Sequence, residues 1–306
     1  MIPKVSILMG CYNGAKYIAD QLDSIESQTH QNWCVYASDD GSTDGTLDIL
    51  KAYQVKWGSK KLVIIQGPCN GFCENFLTLA CNPKIVSDYY AFCDQDDVWL
   101  PEKLSVALSC LYNKSHHLPH VYGSRTTYVN SNLKLIGHSH KFTFPPSFRN
   151  AFVQSIAGGN TLVFNSAAKS LLERIGVVKV ASHDWWLYII CEAAGGCLTY
   201  DLNSYILYRQ HSESLVGSND SLLAKYIRLK SLLSGQFKRW NRLHLSLLLN
   251  CRIQLTDEAT LNLLEFSRLK EGSLKSRLRM LNICGFYRQG WRGQISLYVA
   301  VILNKF

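Results

Sequence analysis

Val5-Ser6-Ile7-Leu8-Met9-Gly10-Cys11, running on into Tyr12-Asn13-Gly14, is a short apolar stretch that stops at a turn signal. An amphipathic segment continues to about Ser27, and the same unit then recurs. Residues 34–38 read as a second strand ending at Asp39, with residues 45–57 as its helix. Leu62–Gln66 and residues 71–81 form the third pair, and residues 89–93 are a fourth strand ending at Asp94. Pro101 stands in the first turn of the next helix, where its missing N–H costs nothing. Strands alternating with helices of this length predict the α/β class, a mainly parallel, Rossmann-like sheet with helices on both faces. Right-handed crossovers then set the strand C-termini along one edge. Asn13, Asp39, Asn70 and Asp94 are expected to converge there.

Past residue 115 the alternation lapses. Residues 121–129 and 160–164 read as strands, with the polar, proline-containing stretch 138–146 as a loop over the site. Residues 182–193 read as a helix and 205–208 as a last short strand. From residue 218 to the end, leucines recur at helical spacing. The expected division is a domain at 1–217, with 1–115 and 116–217 as its two halves, and a helical extension at 218–306.

Composition fits an ordinary globular protein, 47% hydrophobic and 18% charged over 306 residues. The net charge of +9 is unevenly placed. Residues 1–219 carry 17 basic and 18 acidic side chains, whereas 220–306 carry 15 and 5, so the tail is the part that seeks an anionic partner. Of the eleven cysteines, Cys11, Cys34, Cys73, Cys81, Cys93, Cys110, Cys191 and Cys197 fall inside apolar patterns, and no C-x-x-C pair occurs. The N-terminus enters a strand at once, so no signal peptide is expected. No apolar run reaches the roughly 18–20 residues that span a bilayer. Together these features predict a reducing, cytoplasmic setting.

Three acidic clusters carry the chemistry. In Asp39-Asp40-Gly41-Ser42-Thr43-Asp44, residues Asp40, Ser42 and Asp44 suit helix capping. The functional reading has Asp39 accept the ring N–H of a pyrimidine, with Tyr12 and Asn13 beside it. In Asp94-Gln95-Asp96-Asp97, three carboxylates repel one another unless a cation neutralises them. Oxygen ligands select Mg²⁺ or Mn²⁺, which keep positions open for diphosphate oxygens. The plainer alternative is a solvated turn before Pro101. In His183-Asp184-Trp185-Trp186, aromatic walls suit a general base and offer a stacking surface to a sugar, while the alternative is a capping Asp184 with two core tryptophans. His211, close to Arg209, is either a metal or diphosphate contact or a hydrogen-bonded structural residue.

In this order and combination, the segments 5–13, Ser24-Ile25-Glu26-Ser27-Gln28-Thr29, 39–44, Asp94-Gln95-Asp96-Asp97-Val98-Trp99 and 183–186 resemble the family 2 glycosyltransferases with the GT-A fold, over residues 3–215. Tyr208-Arg209-Gln210-His211 and Gly285-Phe286-Tyr287-Arg288 look like the bacterial rhamnosyltransferase-like branch that builds surface polysaccharides. Ser38 stands where the family usually has Val or Ile, and the Q-x-x-R-W motif of the processive members is missing. The resemblance implies that Tyr12 and Asp39 hold the nucleoside. It places Asp94 and Asp96 on ribose, diphosphate and metal, with Asp97 as an alternative ligand and His211 as a further one. Asp184 would be the catalytic base. Gly158-Gly159-Asn160 would shape the donor-sugar and acceptor pocket, together with His183, Trp185, Trp186 and Arg209.

The implied partners are a nucleoside-diphosphate sugar, a lipid-linked saccharide acceptor and an anionic inner-membrane surface. Basic residues mix with leucines and aromatics at 237–242, 274–280 and 286–291, ahead of the apolar run 295–303, which suits a helix lying in a membrane interface. Packing on the catalytic domain or on a second subunit is the other reading. A dinucleotide-dependent oxidoreductase is disfavoured because Cys11-Tyr12-Asn13-Gly14 replaces its glycine fingerprint. The Gly-rich, basic loop of a nucleotidyltransferase is also missing. A non-catalytic sugar- or lipid-binding module sits poorly with intact Asp94, Asp96 and Asp184. Tail charge alone does not make a nucleic-acid module.

Overall fold

The structure is a computed structural model that describes residues 2–210 and 234–306. Nine strands among the described residues form one sheet: β1 (Val5–Cys11), β2 (Trp33–Asp39), β3 (Leu62–Gln66), β4 (Tyr89–Asp94), β5 (Val98–Trp99), β6 (His120–Val129), β7 (Leu135–His138), β8 (Val163–Asn165) and β9 (Cys197–Arg209). Their spatial order is β3-β2-β1-β4-β8-β6-β9-β5, with β7 on β6. The first four strands are parallel, as the alternation predicts. The sheet turns mixed at β8, which runs antiparallel to both β4 and β6.

Three helices, α1 (Ile18–Glu26), α2 (Thr46–Trp57) and α4 (Lys103–Tyr112), close one face around Ile7, Met9, Leu22, Leu50 and Leu104. On the other face lie α3 (Phe72–Ala80), α5 (Phe148–Ala151), α6 (Ser166–Ile175) and α7 (His183–Ala193). Strands covered on both sides are mostly apolar, and β1 and β4 are, apart from Ser6 and the terminal Asp94. The strand expected at 160–164 is shorter: Gly159–Thr161 is a 3-10 turn that leads into β8.

The tail forms four helices among the described residues: α8 (Gln236–Asn250), α9 (Asp257–Leu269), α10 (Leu274–Cys284) and α11 (Trp291–Ile302). Thr256 and Ser273 cap α9 and α10 with their side chains. These helices extend the core of α5 and α7 rather than standing apart from it. Phe152 stacks on Phe286 at 5.3 Å and meets Phe266 edge-on, and Phe286 and Phe266 both meet Phe306. Arg288 donates from Nε to the Val153 carbonyl (3.0 Å) with its guanidinium over the Phe237 ring. The stretch 138–146 is fastened to this tail. The Gln289 side chain bonds both the N–H and the carbonyl of Phe144, at 3.0 and 2.7 Å. All eleven cysteines are unpaired. Among the described residues no helix is long and apolar enough to cross a membrane.

Candidate active site

β1 lies between β2 and β4, and its register sets the first carboxylates. Cys11 is level with Asp39 on one side, and Gly10 is level with Asp94 on the other. Two strand spacings, about 10 Å, therefore separate these two backbone positions at the same edge of the sheet. Asp39 accepts from the Ser42 N–H (3.0 Å) and hydroxyl (2.5 Å), which closes the turn after β2. Asp40 accepts from the Cys69 and Gly71 N–H groups, at 2.7 and 2.9 Å, and so brings the loop after β3 alongside. Asn13, at φ 49°, accepts from the Thr43 N–H at 2.8 Å. Asn70 lies in the loop after β3, but its amide is spent on Glu74 at 2.9 Å. The Tyr12 ring stands out at the lip of this edge, exposed.

Gln95 was legible only as a spacer inside the acidic motif, yet it joins the two loops. Its side chain accepts from the Tyr12 N–H (2.9 Å) and donates to the Tyr12 carbonyl (2.7 Å). A Cβ on Gly14 would stand 2.1 Å from its oxygen, so a side chain there would push the Gln95 amide out of this place.

The acidic motif divides by environment. Burial pushes the Asp94 carboxyl up to about 7, and the Asp96 and Asp184 carboxylates push the same way. Asp184 thus acts on Asp94, although one opens α7 and the other closes β4. Asp97 is fully buried. One oxygen accepts from the Asn160 amide (2.6 Å), the other from the Arg209 N–H (3.2 Å). Burial holds it well above the usual carboxylate range, with Asp96 and Asp94 adding to the effect. Because Asp97 is wholly enclosed and bonded to the protein through both oxygens, it is a strut, and Asp94 and Asp96 are the half-buried carboxylates of the motif. Behind the motif lies Lys103. Its Nζ is 3.6 Å over the Trp99 ring and has no hydrogen-bond partner among the described residues. Burial pulls it down to about 7 against the opposing pull of Cys93, Asp97 and Asp94.

Asp184 sits in the first turn of α7. One carboxylate oxygen accepts from the Gly159 N–H (3.0 Å) and the other from the Trp185 N–H (2.8 Å), which orients the group while each oxygen keeps a lone pair. Gly159 is glycine for a steric reason: a Cβ there would stand 2.6 Å from His183 Nε2.

Four expectations for the sugar pocket are corrected. His183 is buried, stacked on Phe76 at 4.2 Å and edge-on to Phe92, and burial pulls its imidazole down to about 4. It is a neutral packing residue under the site. Trp185 and Trp186 point the other way, into the core shared with the tail. The Trp185 indole donates to the Ala151 carbonyl (2.7 Å) and meets Trp240 edge-on, while Trp186 stacks on His244. Arg209 is buried as well. It donates to the Asp96 and Ser131 carbonyls and to the Asp20 carboxylate (2.9, 2.6 and 2.8 Å), with the Tyr17 ring against its guanidinium. It clamps the acidic loop from behind instead of reaching a sugar. Asn160, tied to Asp97, shapes the same loop. His211 lies outside the described residues.

A divalent cation suits this donor set in one way. Among the described residues no three His, Cys, Asp or Glu side chains are gathered into a cage. Asp94 and Asp96 offer hard oxygens and mutual repulsion that a cation would relieve, and Mg²⁺-type sites commonly combine one or two carboxylates with the ligand's own phosphates.

Comparison with known proteins assigns the chain to a family. The family model "Glycosyl transferase family 2" matches residues 6–175, more than half of the chain. The chain belongs to this family. It is a family 2 glycosyltransferase, and hence an enzyme. It is similar to the dTDP-rhamnosyl transferase RfbG of Shigella flexneri, 28% identical over 313 residues that cover 97% of this chain and all of that protein. Glycosyltransferase EpsE of Bacillus subtilis is 36% identical over 115 residues, 38% of this chain and 41% of EpsE. Among solved structures, S. aureus TarS with UDP-GlcNAc overlays with a TM-score of 0.57 at 18% identity, covering 91% of this chain and 79% of that one. Mannosyltransferase PcManGT from Pyrobaculum calidifontis, with GDP-Man and Mn²⁺, gives 0.56 at 16% identity, covering 99% and 86%. At such identities the likeness is one of fold, and it is the GT-A fold the motifs implied.

Proposed function

We propose that this family 2 glycosyltransferase moves a sugar from a nucleoside-diphosphate sugar to a lipid-linked saccharide, with inversion, in bacterial O-antigen or capsule synthesis. The observation that carries the reading is the turn Gly159-Asn160, whose first residue bonds Asp184 and whose second bonds Asp97, so that the opening of α7 and the acidic motif after β4 share one place. Full-length similarity to a dTDP-rhamnosyl transferase supports dTDP-L-rhamnose as donor, with a UDP-hexose next. The structural neighbours were captured with UDP-GlcNAc and GDP-Man, which supports a nucleotide-sugar donor. An acceptor on a lipid carrier would place the enzyme at the inner face of the bacterial cytoplasmic membrane.

Asp39 at the closed turn and Tyr12 at the lip hold the nucleoside. Asp94 and Asp96 hold Mg²⁺ or Mn²⁺ together with the diphosphate. When bound, the cation supplies charge stabilisation to the departing diphosphate. Asp184, oriented by Gly159, accepts the proton of the acceptor hydroxyl as that oxygen attacks the anomeric carbon from the face opposite the diphosphate. The new glycosidic bond forms as the bond to the diphosphate breaks, through an oxocarbenium-like transition state. A single displacement inverts the centre and needs no enzyme nucleophile.

Asp184→Asn keeps the shape and removes the base. Turnover should fall by roughly two orders of magnitude or more while donor affinity, read by calorimetry, stays within a few-fold. Near-normal turnover in this variant would remove Asp184 from the role.

A further inference from the structure

We infer that the outward face of α11 is a docking surface for an anionic lipid bilayer. Trp291, Ile295, Tyr298 and Ile302 are exposed by 69, 54, 41 and 48%. Their spacing of four, three and four residues keeps them within about 60° of one another around the helix, a single apolar stripe. The opposite face is fixed: Leu297, Ala300 and Val301 are fully buried in the shared core. So α11 is held rigidly with a tryptophan at one end and an apolar stripe outward.

Two further observations decide what covers this stripe. From Gly272 to Phe306 the chain carries six Lys and Arg and no Asp or Glu. Arg292 is exposed beside the stripe, with its guanidinium 5.1 Å from the Trp291 ring. A cation beside an apolar stripe, in a segment without acidic side chains, matches an anionic headgroup layer over acyl chains. Phe144, itself exposed and bonded to Gln289 two residues before Trp291, extends the apolar area beside the helix N-terminus. The 12 residues of α11 span about 18 Å, too short to cross a bilayer but suited to lying in its surface. The inference rests on the proposed reading only for its purpose, since a lipid-linked acceptor would be met at that surface.

The test uses the full chain, because cutting the tail would uncover the Trp185 and Trp186 core. Flotation is measured with vesicles of phosphatidylethanolamine and phosphatidylglycerol, and with phosphatidylcholine alone. The native protein should float with the anionic vesicles and much less with the neutral ones. Trp291→Ser, Ile295→Ser, Tyr298→Ser and Ile302→Ser combined should lower the bound fraction at least roughly tenfold. Arg292→Glu should lower it too and weaken the preference for anionic lipid. Unchanged melting with bound nucleotide certifies the fold of each variant, and sugar-nucleotide hydrolysis without vesicles should be unchanged. Equal flotation of native protein and apolar variant, or no flotation of either, overturns the inference. So does a native dimer that the serine substitutions dissolve, for the stripe then belongs to a second copy. Donor hydrolysis is read separately, so its failure would strike the proposed reaction and leave the docking result standing.

Discussion

Gly159→Ala is the sharpest probe of how the base is held. The added Cβ would lie 2.6 Å from His183 Nε2, 3.1 Å from its Cε1 and 3.5 Å from the Asp184 Cβ. Ordinary contact is about 3.4 Å or more, so roughly 0.8 Å of space is missing. His183 cannot supply it, because its ring is stacked on Phe76 at 4.2 Å and faces the Phe92 edge at 4.7 Å. The backbone at 159 must therefore back away from the first turn of α7. A shift of that size stretches the 3.0 Å bond between the Gly159 N–H and Asp184 to as much as about 3.8 Å, past hydrogen-bond reach. Misplacing a catalytic group by about 1 Å costs on the order of 100-fold in rate, and overpacking costs about 1–3 kcal/mol of stability. The assay is transfer or hydrolysis of dTDP-rhamnose or a UDP-hexose, with donor affinity from calorimetry and a melting curve. The expected result is a kcat lowered about a hundredfold with donor affinity nearly kept. A kcat within threefold of native would refute the geometric account. A collapse of donor affinity in step with kcat would mean that Gly159 shapes the sugar pocket instead.

Two further outcomes follow from buried titrating groups. Asp94, raised to about 7, holds a proton in the free enzyme through the window from about 4 to 7, and a cation must displace it. Affinity for the Mn²⁺–nucleotide complex should climb by up to about tenfold per pH unit below 7 and level off above, with proton release seen by calorimetry in buffers of different ionisation enthalpy; a flat profile from pH 5.5 to 7 counts against the site. His244 is buried between Trp185 and Trp186 and held down at about 4 from its ordinary 6.5. The unfolded chain therefore binds a proton that the native state refuses, and stability present above 6.5 is lost as pH falls toward 4. His244→Phe should gain on the native protein by about 1.2 kcal/mol between pH 7 and 5.5 in urea unfolding, and an unchanged gap would show the ring is not buried neutral.

The first four strands, and the acidic ends of β2 and β4, were legible because a doubly covered parallel sheet writes itself as apolar runs closed by turn residues. β9 was not. Read as residues 205–208, it runs for 13 residues from Cys197, and a bulge against β6 at Ser124 and Arg125 leaves Leu202 and Asn203 out of register and exposed. That insertion breaks the alternation on which a sequence reading depends. The tryptophans after Asp184 were misplaced for a different reason. A helix that opens at the site must turn its next residues into the core, and only the docked tail reveals how much core lies there. Asp97 and Asn160 looked like contacts, yet their pairing is long-range and leaves no local signature. Gln95 was hidden by its neighbours' charge.

That glutamine has a thermodynamic consequence. Its amide grips both polar groups of the Tyr12 backbone, so the lip that would face the base and the acidic turn that would face the diphosphate are welded into one moving part. Any displacement that a nucleobase imposes on Tyr12 is handed to the flanking Asp94 and Asp96. Base identity and cation affinity would then be linked quantities, each altering the other by the same factor.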